Sequence, residues 1–212
     1  MKKLLTSAIW DNYVPIIETK GEDGEGNTYD IYLQDEIASP VLYNQTCHLL
    51  NKVTKKDTVY IHLNTPGGYL DSAFRIQEGL DKCKAKTVAV LTGTVASAGT
   101  IIALRCDEIE VPKHLQFLIH NYSGGSSGKG NEIIEHVTFS NNEISDAFNN
   151  VYLGFLTPKE IKKVIAGKDM WMGSKEVAER FKELKKIRNS KSPKPTKSTP
   201  SKDKEVVIRK DK

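Results

Sequence analysis

Three side chains far apart in the chain, Ser97, His120 and Asp169, are of the types that together perform nucleophilic catalysis. A serine hydroxyl is a weak nucleophile until a base takes its proton. The base in turn needs an acid to fix its tautomer and stabilise the imidazolium that forms. Ser97 lies in Gly93-Thr94-Val95-Ala96-Ser97-Ala98-Gly99-Thr100, where small neighbours leave its hydroxyl sterically open. The placement follows the logic of a nucleophile elbow, although the G-x-S-x-G sequence is absent. His120 ends the apolar run Phe117-Leu118-Ile119 and faces a glycine-rich loop. An imidazole so placed is the ordinary general base for a serine, with an unperturbed pKa of about 6.5. Asp169 stands in a turn, followed by Met170-Trp171-Met172, bulky apolar residues expected to shelter its carboxylate from water. Finally, Asn64-Thr65-Pro66-Gly67-Gly68 should leave bare backbone N–H groups at the mouth of a helix, because proline fixes one angle and glycine frees others. A pair of such donors is what an oxyanion hole requires.

Each feature also has a plain structural reading. Pro66-Gly67-Gly68 makes an ordinary turn, Ser97 suits close helix–sheet packing, a strand-end histidine is often a satisfied core residue, and an aspartate near glycine is common in turns. The four other histidines, His48, His62, His114 and His136, fall in a helix, a strand, a turn and a helical face, and read as structural or solvated.

The elements that must position these groups alternate along the chain. Tyr29–Leu33, Asp57–Leu63, Thr87–Leu91, Glu108–Val111 and Leu115–His120 read as strands, rich in β-branched and aromatic residues. Val41–Val53, Leu70–Ala85, a stretch from Ala96 to about Arg105, about 20 residues from Asn131, and Ser174–Lys186 read as helices. Thr157-Pro158-Lys159-Glu160 is a capping box with proline at the first helical position, so another helix starts there. Repeated strand–helix crossovers imply an α/β fold with a mostly parallel sheet. In such folds binding and catalytic groups collect at the carboxyl ends of strands, which is where Gly68, Ser97 and His120 fall.

The 212 residues are 38% hydrophobic and 27% charged, enough for one full-sized globular domain and excluding a rod or a wholly disordered chain. No apolar run approaches the roughly 20 residues needed to span a bilayer, so no membrane association is expected. The N-terminus lacks the apolar segment of a secretory signal, and Cys47, Cys83 and Cys106 form neither a disulfide nor a zinc pattern. A reducing cytoplasm is the expected location. The net charge of +4 is uneven: residues 182–212 carry +8 and residues 1–181 carry −4. The acidic body argues against a nucleic-acid partner. Residues 1–28 include the glycine- and acid-rich Lys20–Asn27 and read as a mobile segment; 29–187 form the domain; 188–212, rich in Lys, Ser and Pro, read as a disordered tail with one apolar patch at Val206-Val207-Ile208.

Taken in order, Asn64-Thr65-Pro66-Gly67-Gly68, Thr94-Val95-Ala96-Ser97-Ala98, Ile119-His120-Asn121, Gly128 and Lys168-Asp169-Met170-Trp171-Met172 resemble the ClpP family of serine peptidases. The resemblance covers roughly Tyr29 to Leu184 and extends to ClpP-like proteins of large bacteriophages, some of which process capsid components. It implies a crotonase-like spiral of ββα units, with the helix from Asn131 as a protruding handle. It also implies Ser97 as nucleophile, His120 as base, Asp169 as orienting acid, and the N–H groups of Gly68 and Ala98 as the oxyanion hole. No metal or cofactor is called for. Relatives bind an extended polypeptide at the edge formed by the glycine-rich Ser123–Gly130. They assemble as heptameric rings stacked in pairs, and receive chains from an AAA+ ATPase unfoldase. The N-terminal segment would lie near the axial pore.

Three departures stand out from that pattern. Asn121-Tyr122 replaces the Gln-Pro that often follows the histidine, Ala98 replaces a methionine, and Val177–Leu184 lacks the usual Gly-Leu-Asp ending. The basic tail has no counterpart. Competing readings are crotonase-like acyl-CoA chemistry, a Ser-Lys dyad using Lys113 or Lys129, and a catalytically silent ring subunit. The first wants an acidic residue over the acyl group and an adenine site, neither evident here; His120 makes the second redundant; the intact triad opposes the third.

Overall fold

The computed structural model describes residues 14–191 and the backbone of a two-residue strand, β1 (Lys3–Leu4). The strands that follow are β2 (Ile16–Thr19), β3 (Thr28–Leu33), β4 (Thr58–Thr65), β5 (Lys86–Ala96), β6 (Glu108–Glu110), β7 (Leu115–Ile119) and β8 (Met170–Met172). The helices are α1 (Asn44–Lys52), α2 (Leu70–Lys82), α3 (Ala98–Arg105), α4 (Gly130–Tyr152), α5 (Pro158–Ile165) and α6 (Ser174–Lys191). One sheet runs in the order β1-β2-β3-β4-β5-β7-β8, with β6 paired to β5. The β3-β4-β5-β7 ladder and the β5-β6 pair are parallel; β1, β2 and β8 join antiparallel at the edges.

Period-two alternation explains why the sheet buries one face. Ile31 and Leu33, Val59, Ile61 and Leu63, and Ala89 and Leu91 are buried, and share a core with Leu50 of α1, Ile76 of α2 and Ile101 of α3. The opposite face carries Asp30, Tyr32, Tyr60 and His62, all partly exposed. There His62 Nε2 meets Asp30 Oδ1 at 2.8 Å and stacks on Tyr32 with ring centroids 4.4 Å apart, so this histidine is structural.

The strand that matters most is β5, because it changes neighbours midway. Val88–Val90 pair with β6, whereas Gly93–Ala96 pair with β7. The switch needs a bend, and the β4–β5 register slips to provide it: Leu63 faces Leu91, but Thr65 faces Val95. Asn64 fills the gap, its Oδ1 accepting the Thr94 N–H at 3.2 Å, while Thr92 Oγ1 donates to the Leu63 carbonyl at 3.2 Å. Gly93 takes φ 57° at the bend. β5 thus runs five residues past the Leu91 at which the sequence-based strand ends, and it delivers the chain to Ser97.

The long helix α4 packs only through its last two turns. Phe148 and Tyr152 are its buried residues, while Ile134, Val137 and Phe139 are exposed. It is the protruding helix of a ββα spiral. The Thr157–Glu160 capping box closes the N-terminus of α5, and Arg180 of α6 pairs with Glu160 at 2.8 Å and with the Phe155 carbonyl at 3.2 Å. The Arg180 guanidinium and the Thr157 donors hold the Glu160 carboxyl down at about 2.

Several boundaries differ from the sequence-based expectation. The helix expected at Val41–Val53 is split into a 3₁₀ turn, Pro40–Tyr43, and the α-helix α1 that follows it. Within residues 1–28, Ile16–Thr19 is a strand on β3 with Ile16 buried. α6 continues past residue 187 to Lys191. The rest of the Lys/Ser/Pro-rich segment, with Val206-Val207-Ile208, lies outside the described residues, as does most of the segment expected near an axial pore. No helix among the described residues is long and apolar enough to cross a membrane.

Candidate active site

Ser97 is the single residue between β5 and α3. Its backbone sits at φ 51°, ψ −124°, a conformation that costs a non-glycine residue about 1–3 kcal/mol and persists only where the surroundings impose it. Two sets of bonds do so. The Ser97 N–H donates to the Leu118 carbonyl of β7 at 2.9 Å. The Ser97 carbonyl accepts from the Thr100 N–H at 2.9 Å and from Thr100 Oγ1 at 2.7 Å. Gly67 covers the turn so closely that a Cβ there would lie 2.5 Å from Ser97 Cβ and 3.1 Å from its Oγ. Strand-to-helix strain with a hydroxyl at the apex is the geometry of an activated serine.

His120 and Asp169 are positioned by register. The β5–β7 ladder ends with Ala96 beside Leu118, and the β7–β8 ladder includes Ile119 opposite Met170. The chain passes from these last pairs directly into Ser97, into His120 and, from the other side, out of Asp169. Adjacent strands lie about 4.8 Å apart, so the three backbones occupy neighbouring strand ends. Asn121 strengthens this arrangement. Its Nδ2 donates to the Ile165 carbonyl at 2.9 Å, tying the segment after His120 to the helix end that leads into Asp169, and its Oδ1 accepts the Tyr122 N–H at 2.9 Å. The departure from Gln-Pro at this point therefore supplies a clamp between the two segments.

Among the described residues no hydrogen bond joins Ser97 Oγ to His120, or His120 to Asp169. His120 is half-buried and Asp169 is exposed. The carboxylate expected to be sheltered is thus open to water. The reason is that β8 is an edge strand of alternating sides: Met172 turns into the core, while Trp171 is 59% exposed and covers nothing.

The backbone donors are differently placed. Gly67 (φ 105°) and Gly68 (φ 143°) carry the chain from β4 into α2 through conformations that favour glycine. A parallel bridge to Ile37 uses the Gly67 carbonyl and the Tyr69 N–H, each at 2.7 Å, which turns the Gly68 N–H away from Ile37. Ala98 opens α3, so its N–H has no intrahelical acceptor. Ala98 directly follows Ser97, and Gly68 directly follows the Gly67 that packs against it. A cavity of about 1190 Å³ lies elsewhere, between the start of β7 and the start of α6, lined by His114, Gln116 and Lys175 among others.

Sequence reasoning missed four contributors. Gly67 packs on Ser97, Asn64 repairs the β5 bend, and Thr100 and Tyr152 anchor the Ser97 carbonyl through a 2.8 Å contact between their oxygens.

The model of the Clp protease family matches residues 27–188. Among curated proteins, the ATP-dependent Clp protease proteolytic subunit of Streptococcus suis is 27% identical over 183 residues, covering 77% of this chain and 91% of its own length. The subunit of the same name from Streptococcus sanguinis is 26% identical, covering 78% and 92%. A proteolytic subunit 2 of Pseudomonas aeruginosa is 32% identical over a shorter stretch, 42% of this chain and 45% of its own. A family match across most of the chain, on a spiral that brings Ser97, His120 and Asp169 to adjacent strand ends, makes this chain a member of the Clp protease family.

Proposed function

We propose that this chain is a serine endopeptidase that cleaves extended polypeptides through an acyl-enzyme. Ser97 Oγ attacks the scissile carbonyl carbon as His120 takes its proton. The carbonyl electrons move onto oxygen, where the N–H groups of Gly68 and Ala98 receive the developing charge. Collapse breaks the C–N bond, His120 returns the proton to the departing amine, and water then releases the acyl group by the same route. Asp169 orients His120 and stabilises its imidazolium form.

The observation that carries this reading is the bond from the Ser97 N–H to the Leu118 carbonyl, which seats a strained serine beside the strand that ends in His120. The lack of a hydrogen bond between these side chains among the described residues is consistent with it, since catalytic hydrogen bonds are often long without substrate and tighten when it binds. The reading extends to assembly as a ring supplied by an ATP-driven unfoldase. The support is that relatives matched over about nine-tenths of their length are named as proteolytic subunits of ATP-dependent proteases. Three free thiols suit a reducing cytoplasm.

An activated p-nitrophenyl ester tests the chemistry. Mixing it in excess with the native assembly is expected to release a rapid burst of about one nitrophenolate per chain, followed by slower turnover as the acyl-enzyme hydrolyses. Strictly linear release from the first turnover, at saturating ester, would contradict a covalent intermediate that accumulates.

A further inference from the structure

Two buried hydroxyls connect the protruding helix to the nucleophile's turn. Tyr152, the last residue of α4, and Thr100, in the first turn of α3, are both fully buried, and their oxygens lie 2.8 Å apart. Thr100 Oγ1 also lies 2.7 Å from the Ser97 carbonyl oxygen. A hydroxyl has one proton, and a carbonyl can only accept. The Thr100 proton is therefore committed to Ser97, and the Tyr152 hydroxyl must donate to Thr100. Burial pushes the Tyr152 phenol well above its ordinary range, so it stays a donor wherever the protein is folded.

The chain of bonds runs one way, from Tyr152 to Thr100 to the Ser97 carbonyl. Its terminus matters because the Ser97 carbonyl and the Ala98 N–H belong to one planar peptide and point in opposite directions. Whatever fixes the carbonyl aims the N–H. The Tyr152 end is firmly mounted: its ring packs edge-on against Phe148 at 5.3 Å, and its carbonyl accepts from the N–H groups of Phe155 and Leu156 at 3.1 and 2.8 Å.

We infer that Thr100 and Tyr152 are positioning residues that hold the Ser97–Ala98 peptide so that the Ala98 N–H faces the developing oxyanion, which makes the seating of α4 a determinant of turnover. This rests on the serine peptidase reading above. It predicts an effect on kcat with little on KM, since the aimed donor is used in the transition state.

The experiment compares Thr100→Val, Thr100→Ser, Tyr152→Phe and the double variant Thr100→Val/Tyr152→Phe with the parent, measuring kcat and KM for a short peptide together with Tm. Thr100→Val is expected to lower kcat about tenfold to a hundredfold, less than outright loss of an oxyanion donor, because the Thr100 N–H still holds the carbonyl. Tyr152→Phe should lower it less, and Thr100→Ser, which keeps the hydroxyl, should stay near the parent. The double variant separates positioning from folding. Removing both hydroxyls leaves no stranded buried donor, so its Tm should recover toward the parent while kcat stays low. Recovery of kcat along with Tm, or a parental kcat in Thr100→Val, would overturn the inference while leaving the peptidase reading intact. A parent that hydrolyses nothing and forms no acyl-enzyme would sink both.

Discussion

Replacing Ser97 by alanine is expected to lower kcat for peptide hydrolysis by roughly 10⁴–10⁶-fold while leaving Tm nearly unchanged. The size follows from what is removed. Without Oγ there is no acyl-enzyme, and only the two backbone donors and substrate binding remain to assist attack by water. Stability should be spared because Ser97 Oγ makes no hydrogen bond among the described residues, and the turn is held by backbone atoms of Ser97 together with Leu118 and Thr100. Adding His120→Ala to this variant should cost little more, since a base with no hydroxyl to activate has lost its role. Steady-state assays on single and double variants decide the matter. Full multiplicative losses would mean that the two residues act separately, and near-parental activity in Ser97→Ala would remove the nucleophile from the account.

Gly67→Ala should have the next largest effect, and here activity and stability fall together. A Cβ at Gly67 would meet Ser97 Cβ at 2.5 Å and the Ala96 carbonyl oxygen at 3.0 Å, so the obstruction is on and beside the nucleophile's backbone. Its φ of 105° adds strain that alanine cannot relieve in place. The cost is about 1–3 kcal/mol for the backbone conformation alone. The chain can lower this only by moving the Gly67-Gly68 segment away from Ser97, which carries the Gly68 N–H away from the oxyanion position. A loss of kcat of about a hundredfold or more is expected, in line with removal of one oxyanion donor. Gly173→Ala is the control: nothing lies within 4 Å of its Cβ position, so Tm should hold. A Gly67→Ala variant with parental kcat would show that the close approach over Ser97 has no catalytic consequence.

The parts of this molecule legible in the sequence are those fixed by local rules. β-Branched and aromatic content marked β3, β4, β5 and β7, and the Thr157–Glu160 box marked the start of α5 to the residue. Placing Ser97 and His120 at strand ends followed, because parallel crossovers bring the carboxyl ends of strands to one side. What escaped was set by distant partners. β2 and β8 are short strands whose existence depends on a neighbour, and Ile16-Ile17-Glu18-Thr19 has too few residues for a pattern. The exposure of Asp169 could not be read, since Met170-Trp171-Met172 is apolar by composition but puts its largest side chain on the outer face. The bend in β5 was hidden for a similar reason. It is held by Asn64, 30 positions from the Thr94 amide it accepts. Thr100 and Tyr152 are 52 positions apart, and nothing in either segment announces that they meet.

The central claim is that one hydroxyl, at Ser97, is made nucleophilic by His120. Treating the native assembly with a fluorophosphonate and locating the adduct by peptide mass mapping tests it most directly. The account predicts a single phosphonylated residue, Ser97, with modification falling to background in His120→Ala. An unmodified Ser97 in a protein that hydrolyses peptides, or an adduct on another residue that inactivates it, would contradict the account.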